Sequence, residues 1–171
     1  MKKTLVTTAI ASSLLFAGQT AQAEESAYIG LQYNMYTVGI DGLDDLEPDG
    51  LVVKLGGDIS EHFQLETRFG RSLSDDNVDG AALKVDEYIG FYVKGGMEFA
   101  DMVFPYVALG YTKVDFEFHG SQNDLTESDL SYGIGADVRI GQFQVGLEWI
   151  MLQDKSDYDL ENLNVSAAWR F

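Results

Sequence analysis

Few residues in this chain could do covalent chemistry. It has no Cys, which removes both thiol nucleophiles and disulfides. Of its two histidines, His62 sits beside Glu61 in a short polar connection and reads as a solvated turn residue. His119-Gly120-Ser121 is the one His-x-Ser spacing. A serine nucleophile needs a histidine base held by a carboxylate, and Glu117 and Asp124 lie close by in sequence. That group falls in a polar loop, so the expectation is no catalysis. Asp75-Asp76-Asn77-Val78-Asp79-Gly80, followed by Asp86, matches the D-x-N-x-D-G opening of a calcium loop with a carboxylate at its twelfth position. Ca²⁺ takes six to eight oxygens, and the glycine permits the sharp turn. Two features weigh against a defined site. The twelfth residue is the shorter Asp, and strands rather than helices flank the loop. Asp75, Asn77, Asp79 and Asp86 are therefore the candidate metal residues on an otherwise cofactor-free chain.

The elements that carry these residues alternate. Successive side chains of a strand point to opposite faces, and eight segments place apolar residues on one parity. In Phe63–Gly70, for example, Phe63, Leu65, Thr67 and Phe69 oppose Gln64, Glu66, Arg68 and Gly70. The other seven lie in 27–36, 51–58, 83–94, 104–118, 130–139, 143–149 and 162–171. The segment 104–118 switches its apolar parity between Tyr111 and Val114, which predicts either a bulge near Thr112-Lys113 or the strand leaving the membrane there. Long acidic connections at Gly39–Gly50, Ser72–Ala82, Glu117–Ser128 and Gln153–Glu161 alternate with tight ones at Ile59–His62 and Ile140–Gln142, and an intermediate one at Gly95–Met102. Long loops on one rim and short turns on the other are the pattern of outer-membrane barrels, whose turns are periplasmic.

The non-apolar parity decides between a soluble and a membrane barrel. It carries five positive and four negative groups: Lys54, Arg68, Lys94, Arg139 and Arg170 against Glu66, Asp86, Asp137 and Glu148. The whole chain has a net charge of −17. Near-neutrality on one face of so acidic a protein fits charges packed together in a narrow interior, where an unpaired one is costly. Lys54, Glu66, Arg68, Asp137, Arg139 and Glu148 are predicted to form that interior network. The acidic balance also excludes nucleic acid as a partner and suits cations.

Both ends fit export. Met1-Lys2-Lys3, the apolar run Thr4–Ala17 and Ala21-Gln22-Ala23 form a secretory signal peptide, residues 1–23, predicted to be cleaved after Ala23. Residues 24–171 then form one domain. The last strand ends in Trp169-Arg170-Phe171, an aromatic terminus that resembles the signal by which barrel assembly machinery receives outer-membrane proteins.

Taken with Phe63–Gly70, Pro105–Tyr111 and Ser131–Asp137, these features resemble the OmpX/OmpA-type small outer-membrane barrels along the whole mature chain. The resemblance implies an all-β, eight-stranded antiparallel transmembrane barrel. It implies a monomer with a filled interior among outer-membrane lipids and lipopolysaccharide, assembled by way of Trp169 and Phe171. Eight strands leave room only for side chains. The expected function is non-enzymatic: envelope integrity, adhesion or stress resistance through acidic loops and an extracellular ligand that the sequence does not name. Two alternatives stand beside it. His119 and Ser121 faintly resemble the spacing in lipid A deacylases, which would make the chain a lipid A-modifying hydrolase. The third reading is a small-conductance porin.

Overall fold

The computed structural model describes residues 27–40, 47–73, 76–78, 81–118, 125–154 and 158–171. Nine strands follow one another: β1 (Ala27–Ile40), β2 (Asp49–Asp58), β3 (Phe63–Ser72), β4 (Asp76–Val78), β5 (Ala81–Gly96), β6 (Val103–Phe118), β7 (Leu125–Ile140), β8 (Phe143–Asp154) and β9 (Tyr158–Arg170). All pairings are antiparallel. β1 pairs with both β2 and β9, the order continues through β8, β7, β6 and β5, and β3–β5 pairing closes the ring. β4 is a three-residue strand that pairs only with the start of β5. The wall is therefore a closed barrel of eight strands, a form in which every backbone group of the wall finds a partner.

Over the side chains described, the parity read from sequence holds through the middle of every wall strand. Leu31, Leu109 and Ile134 point outward and are 55%, 64% and 61% exposed, while Gln32, Lys54, Arg68, Lys94 and Asp137 are buried inside. Large apolar side chains cover the outside from Ile29 round to Leu163, the inverse of a water-soluble protein. Aromatic residues mark both margins of this apolar band. Phe63, Phe143 and Trp169 lie toward the short-turn rim, with the Phe143 and Trp169 rings edge-to-face at 4.8 Å. Tyr33, Tyr111 and Tyr132 lie further up. Such girdles belong at the two interfaces of a lipid bilayer.

Three features differ from the sequence-based expectation. No register shift occurs at Thr112-Lys113, where the β5 and β7 partners run on without interruption. Val114 keeps the inward parity and is fully buried, so the apparent switch marks an apolar residue placed inside. The irregularities lie instead between Val85 and Glu87 on β5 and between Met151 and Gln153 on β8. In the second, Leu152 and Gln153 are both buried, as one extra residue in a strand allows. Finally, β1, β5, β7, β8 and β9 run further into the connections than alternation predicts, because strands standing above a membrane can be polar on both faces.

Candidate functional site

The interior is built in layers. At mid-height, Arg68 on β3 points to the axis. Its Nε donates to Glu66 Oε1 at 2.6 Å, and its two terminal nitrogens donate to the Glu148 carboxylate at 2.6 and 2.8 Å. A forked pair of this kind is the strongest geometry available to a guanidinium and a carboxylate. The guanidinium also lies 4.2 Å from the Tyr92 ring centre. Lys94 Nζ is 2.9 Å from Glu66 and 3.6 Å from Asp137. Lys54 Nζ donates to Ser166 Oγ at 2.8 Å and is 3.8 Å from Glu66. Tyr28 donates to Glu66 at 2.5 Å; Tyr106 and Asn164 donate to Glu148, each at 3.0 Å. Three cations and three carboxylates are thus buried together with no net charge.

Below this layer, toward the short turns, Arg170 bonds Asp58 and donates to Gln144 at 2.5 Å. Arg139 bonds Glu98 and lies 3.6 Å from Asp58. Arg139, expected in one network with the others, is thus two strand steps lower, in a second group at the periplasmic mouth. The structure brings Lys54, Glu66, Arg68, Asp137 and Glu148 together and joins Lys94 to them.

The upper layer is foreseen only in part: alternation puts Tyr36, Val52, Tyr88 and Tyr92 on the inward parity, but it does not assign Val38, Val114, Ile150, Leu152 and Leu160 there. Tyr36, Val38, Val52, Tyr88, Tyr92, Val114, Ile150, Leu152 and Leu160 form a buried apolar cluster inside the barrel. Inward apolar residues resemble outward ones in a sequence, so only their parity could have found them. A hydroxyl chain crosses beneath: Tyr88 to Tyr92 at 2.7 Å, Tyr92 to Thr112 at 2.6 Å, and Thr112 to Ser131 at 2.5 Å. Ser131 donates to Leu152 O at 3.1 Å. Each hydroxyl has one proton, so that last bond orients the whole chain, with Tyr88 as its first donor.

The outer rim is uneven. β1–β2 pairing stops at Met35–Asp49 and β3–β5 pairing at Gly70–Tyr88, whereas β5, β6 and β7 continue upward. β7 pairs with β8 only from Tyr132 downward, while β6 pairs with β7 up to Phe116–Leu125. Among the described residues, the β8-facing edge of β7 from Leu125 to Ser131 therefore has no strand partner. Of the proposed calcium residues, Asp75 and Asp79 lie outside the described residues. The backbones of Asn77 and Asp86 fall on β4 and at the β5 irregularity, and their side chains are not described. His119 and Ser121 also lie outside, as does the cleavage site at Ala23. Among the described residues no His, Asp and Glu side chains group as three metal ligands. At the carboxy-terminus Phe171 is exposed, and its N–H donates to Ala27 O at 2.9 Å.

A family model for the outer membrane protein beta-barrel domain matches residues 7–171. No curated protein matches the chain in sequence. Solved structures similar in fold include Ail, the attachment invasion locus protein of Yersinia pestis, in complex with the heparin analogue sucrose octasulfate. It has 18% identity and a TM-score of 0.68 over 87% of this chain and 100% of that one. Neisserial surface protein A has 10% identity and a TM-score of 0.67 over 85% and 97%. OprG of Pseudomonas aeruginosa has 12% identity and a TM-score of 0.54 over 90% and 98%.

Proposed function

The chain belongs to the outer-membrane β-barrel protein family, and from that premise we propose that it is a non-enzymatic interaction protein whose binding surface is its extracellular rim. One observation carries this reading. The barrel axis is filled by a neutral ion network with an apolar layer above it, while among the described residues the β7 edge above Tyr132 has no strand partner on its β8 side. An open edge offers backbone donors and acceptors to an added strand of a partner. The apolar layer opposes ion passage, which disfavours the porin alternative. The lipid A hydrolase alternative rests on His119 and Ser121 alone.

The heparin analogue bound by the Yersinia protein is a polyanion. A net charge of −17 opposes such a ligand here and favours cationic partners, or anionic surfaces such as lipopolysaccharide bridged by divalent cations. Asp75, Asn77, Asp79 and Asp86 are the proposed bridge. Calorimetric titration with Ca²⁺ checks it: a saturable heat, lost in Asp79→Ala, is expected, and diffuse heat unchanged by that substitution rejects a defined site.

Cells expressing the chain with residues 119–124 deleted and the β7 edge shortened test the main reading. Adhesion to cells or surfaces should fall while lipid A composition and planar-bilayer conductance stay unchanged. Unaltered adhesion with altered lipid A would instead identify an enzyme, and discrete channel events a pore.

A further inference from the structure

The outer wall is not evenly convex. A shallow, open groove of about 1020 Å³ lies on its lipid-facing side. It begins at His62 in the β2–β3 turn and follows one row of paired residues across the wall: Phe63, Gly95, Val107, Ile134, Trp149 and Leu163. Phe63 is the first residue of β3, whereas Trp149 is the seventh of β8 and Leu163 lies eight residues before the chain end. The row therefore climbs from the periplasmic rim toward the middle of the wall. Its floor is low because Gly95 has no side chain and Pro105 and Ala136 have short ones. Met97 and Phe99 of the β5–β6 turn stand at its lower margin. A hydrogen bond from Gly96 N–H to His62 O, 2.8 Å, fixes the mouth.

We infer that this groove holds one acyl chain of a phospholipid of the periplasmic leaflet, with its headgroup at His62. The groove is continuous with the surface that an outer-membrane barrel presents to lipid, so an amphiphile reaches it by lateral diffusion. Its polarity runs in the matching direction, from an imidazole at the rim to aromatic and aliphatic side chains at mid-wall. Adjacent strands are about 4.8 Å apart, so the four intervals from Gly95 to Leu163 span about 19 Å, the scale of an extended acyl chain.

The protein folded in vesicles of palmitoyl-oleoyl phosphatidylethanolamine, extracted gently and weighed by native mass spectrometry, should carry a single retained phospholipid. Ala136→Trp fills the floor and should abolish that adduct. Leu31→Trp, an equally outward change on β1, should keep it. Gel mobility before and after heating reports folding of each variant, and Val107→Trp replaces Ala136→Trp if the latter fails to fold. A second readout is fluorescence quenching by a phosphatidylethanolamine brominated on its chains, in a Trp169→Phe background. Quenching of Trp149 should fall when Ala136 is replaced by Leu. An adduct equally abundant in Ala136→Trp, a ladder of several lipids with no preferred single one, or displacement by detergent alone would each overturn the assignment.

Discussion

Replacing Arg68 with methionine should be the most damaging single change inside the barrel. Arg68 is fully buried and supplies three charge-assisted bonds, two to Glu148 and one to Glu66. After its removal Glu66 keeps Lys94 at 2.9 Å and the Tyr28 hydroxyl at 2.5 Å. Glu148 keeps only the neutral donors Tyr106 and Asn164 among the bonds described. The central group passes from neutral to one net negative charge. Breaking a buried pair by removing one partner costs about 3–5 kcal/mol, and because Glu66 stays compensated the lower end, about 3 kcal/mol, is expected. With a denaturant slope of about 2 kcal/mol per molar urea, the unfolding midpoint should drop by about 1.5 M. Lys54 makes one hydrogen bond to Ser166 and a long 3.8 Å ion contact. Lys54→Met should cost less than Arg68→Met, within the roughly 1.5–3 kcal/mol that a hydrogen bond to a charged group is worth.

The decisive comparison is the pair Arg68→Met and Glu148→Leu. Together they restore neutrality and remove both halves of the forked bond, so the double variant should be more stable than Arg68→Met alone. Urea unfolding in lipid vesicles, followed by tryptophan fluorescence, measures all of these. The reasoning fails if the double variant loses as much as the two single losses added. It also fails if Arg68→Met is tolerated as well as Leu65→Ala on the lipid face.

Three other expectations follow from local geometry. Ala100 and Asp101 both have φ of +54° in the β5–β6 turn, a left-handed pair that asparagine and glycine adopt more readily. Ala100→Asn should raise stability, seen as a higher urea midpoint, by part of the roughly 1–2 kcal/mol that left-handed backbone costs alanine, because asparagine adopts that region more readily. A Cβ on Gly110 would lie 2.3 Å from the Tyr92 ring and 2.5 Å from Phe91 O. Gly110→Ala should therefore lower the midpoint by about 1–3 kcal/mol, the range for overpacking. Deleting Phe171 removes an exposed ring and one backbone bond to Ala27. It should slow barrel assembly in cells, read by heat-modifiable gel mobility over time, and leave the urea midpoint of the finished barrel within about 1 kcal/mol.

Much of the wall was legible because alternation has period two and the two faces of this barrel meet opposite solvents. Leu65, Glu66, Thr67 and Arg68 assign themselves to lipid and interior without any knowledge of neighbours. The bulges were not legible, since one extra residue at Asp86 or Leu152 leaves the residue types on either side unchanged. Val114, Ile150, Leu152 and Leu160 were obscure for another reason. An apolar side chain satisfies either face, so its direction follows from strand parity and not from its type. The β7 edge depends on where β8 stops pairing, which is a property of two strands together.

Height along the barrel axis is the quantity that alternation omits, and it explains the one misplaced member of the interior network. Parity puts Asp137 and Arg139 on the same face without distinguishing their levels. The tight turns supply the missing scale. Arg139 lies two residues before Gly141, at the turn, and pairs with Gln144 near the start of β8. Arg68 lies six residues after His62, and Glu148 six after Gln142, so the two reach the same level from opposite sides of the ring. Lys54 lies four residues before Asp58 and belongs near that level, while Asp58 itself belongs at the mouth with Arg139 and Arg170. Counting residues from each short turn thus sorts the charges into the two observed groups. It also gives each group its neutrality: Lys54, Arg68 and Lys94 against Glu66, Asp137 and Glu148 above, and Arg139 and Arg170 against Asp58 and Glu98 below. Balance within each level places every buried charge in direct contact with an opposite one, which is where hydrogen-bonded geometry best offsets the cost of desolvation.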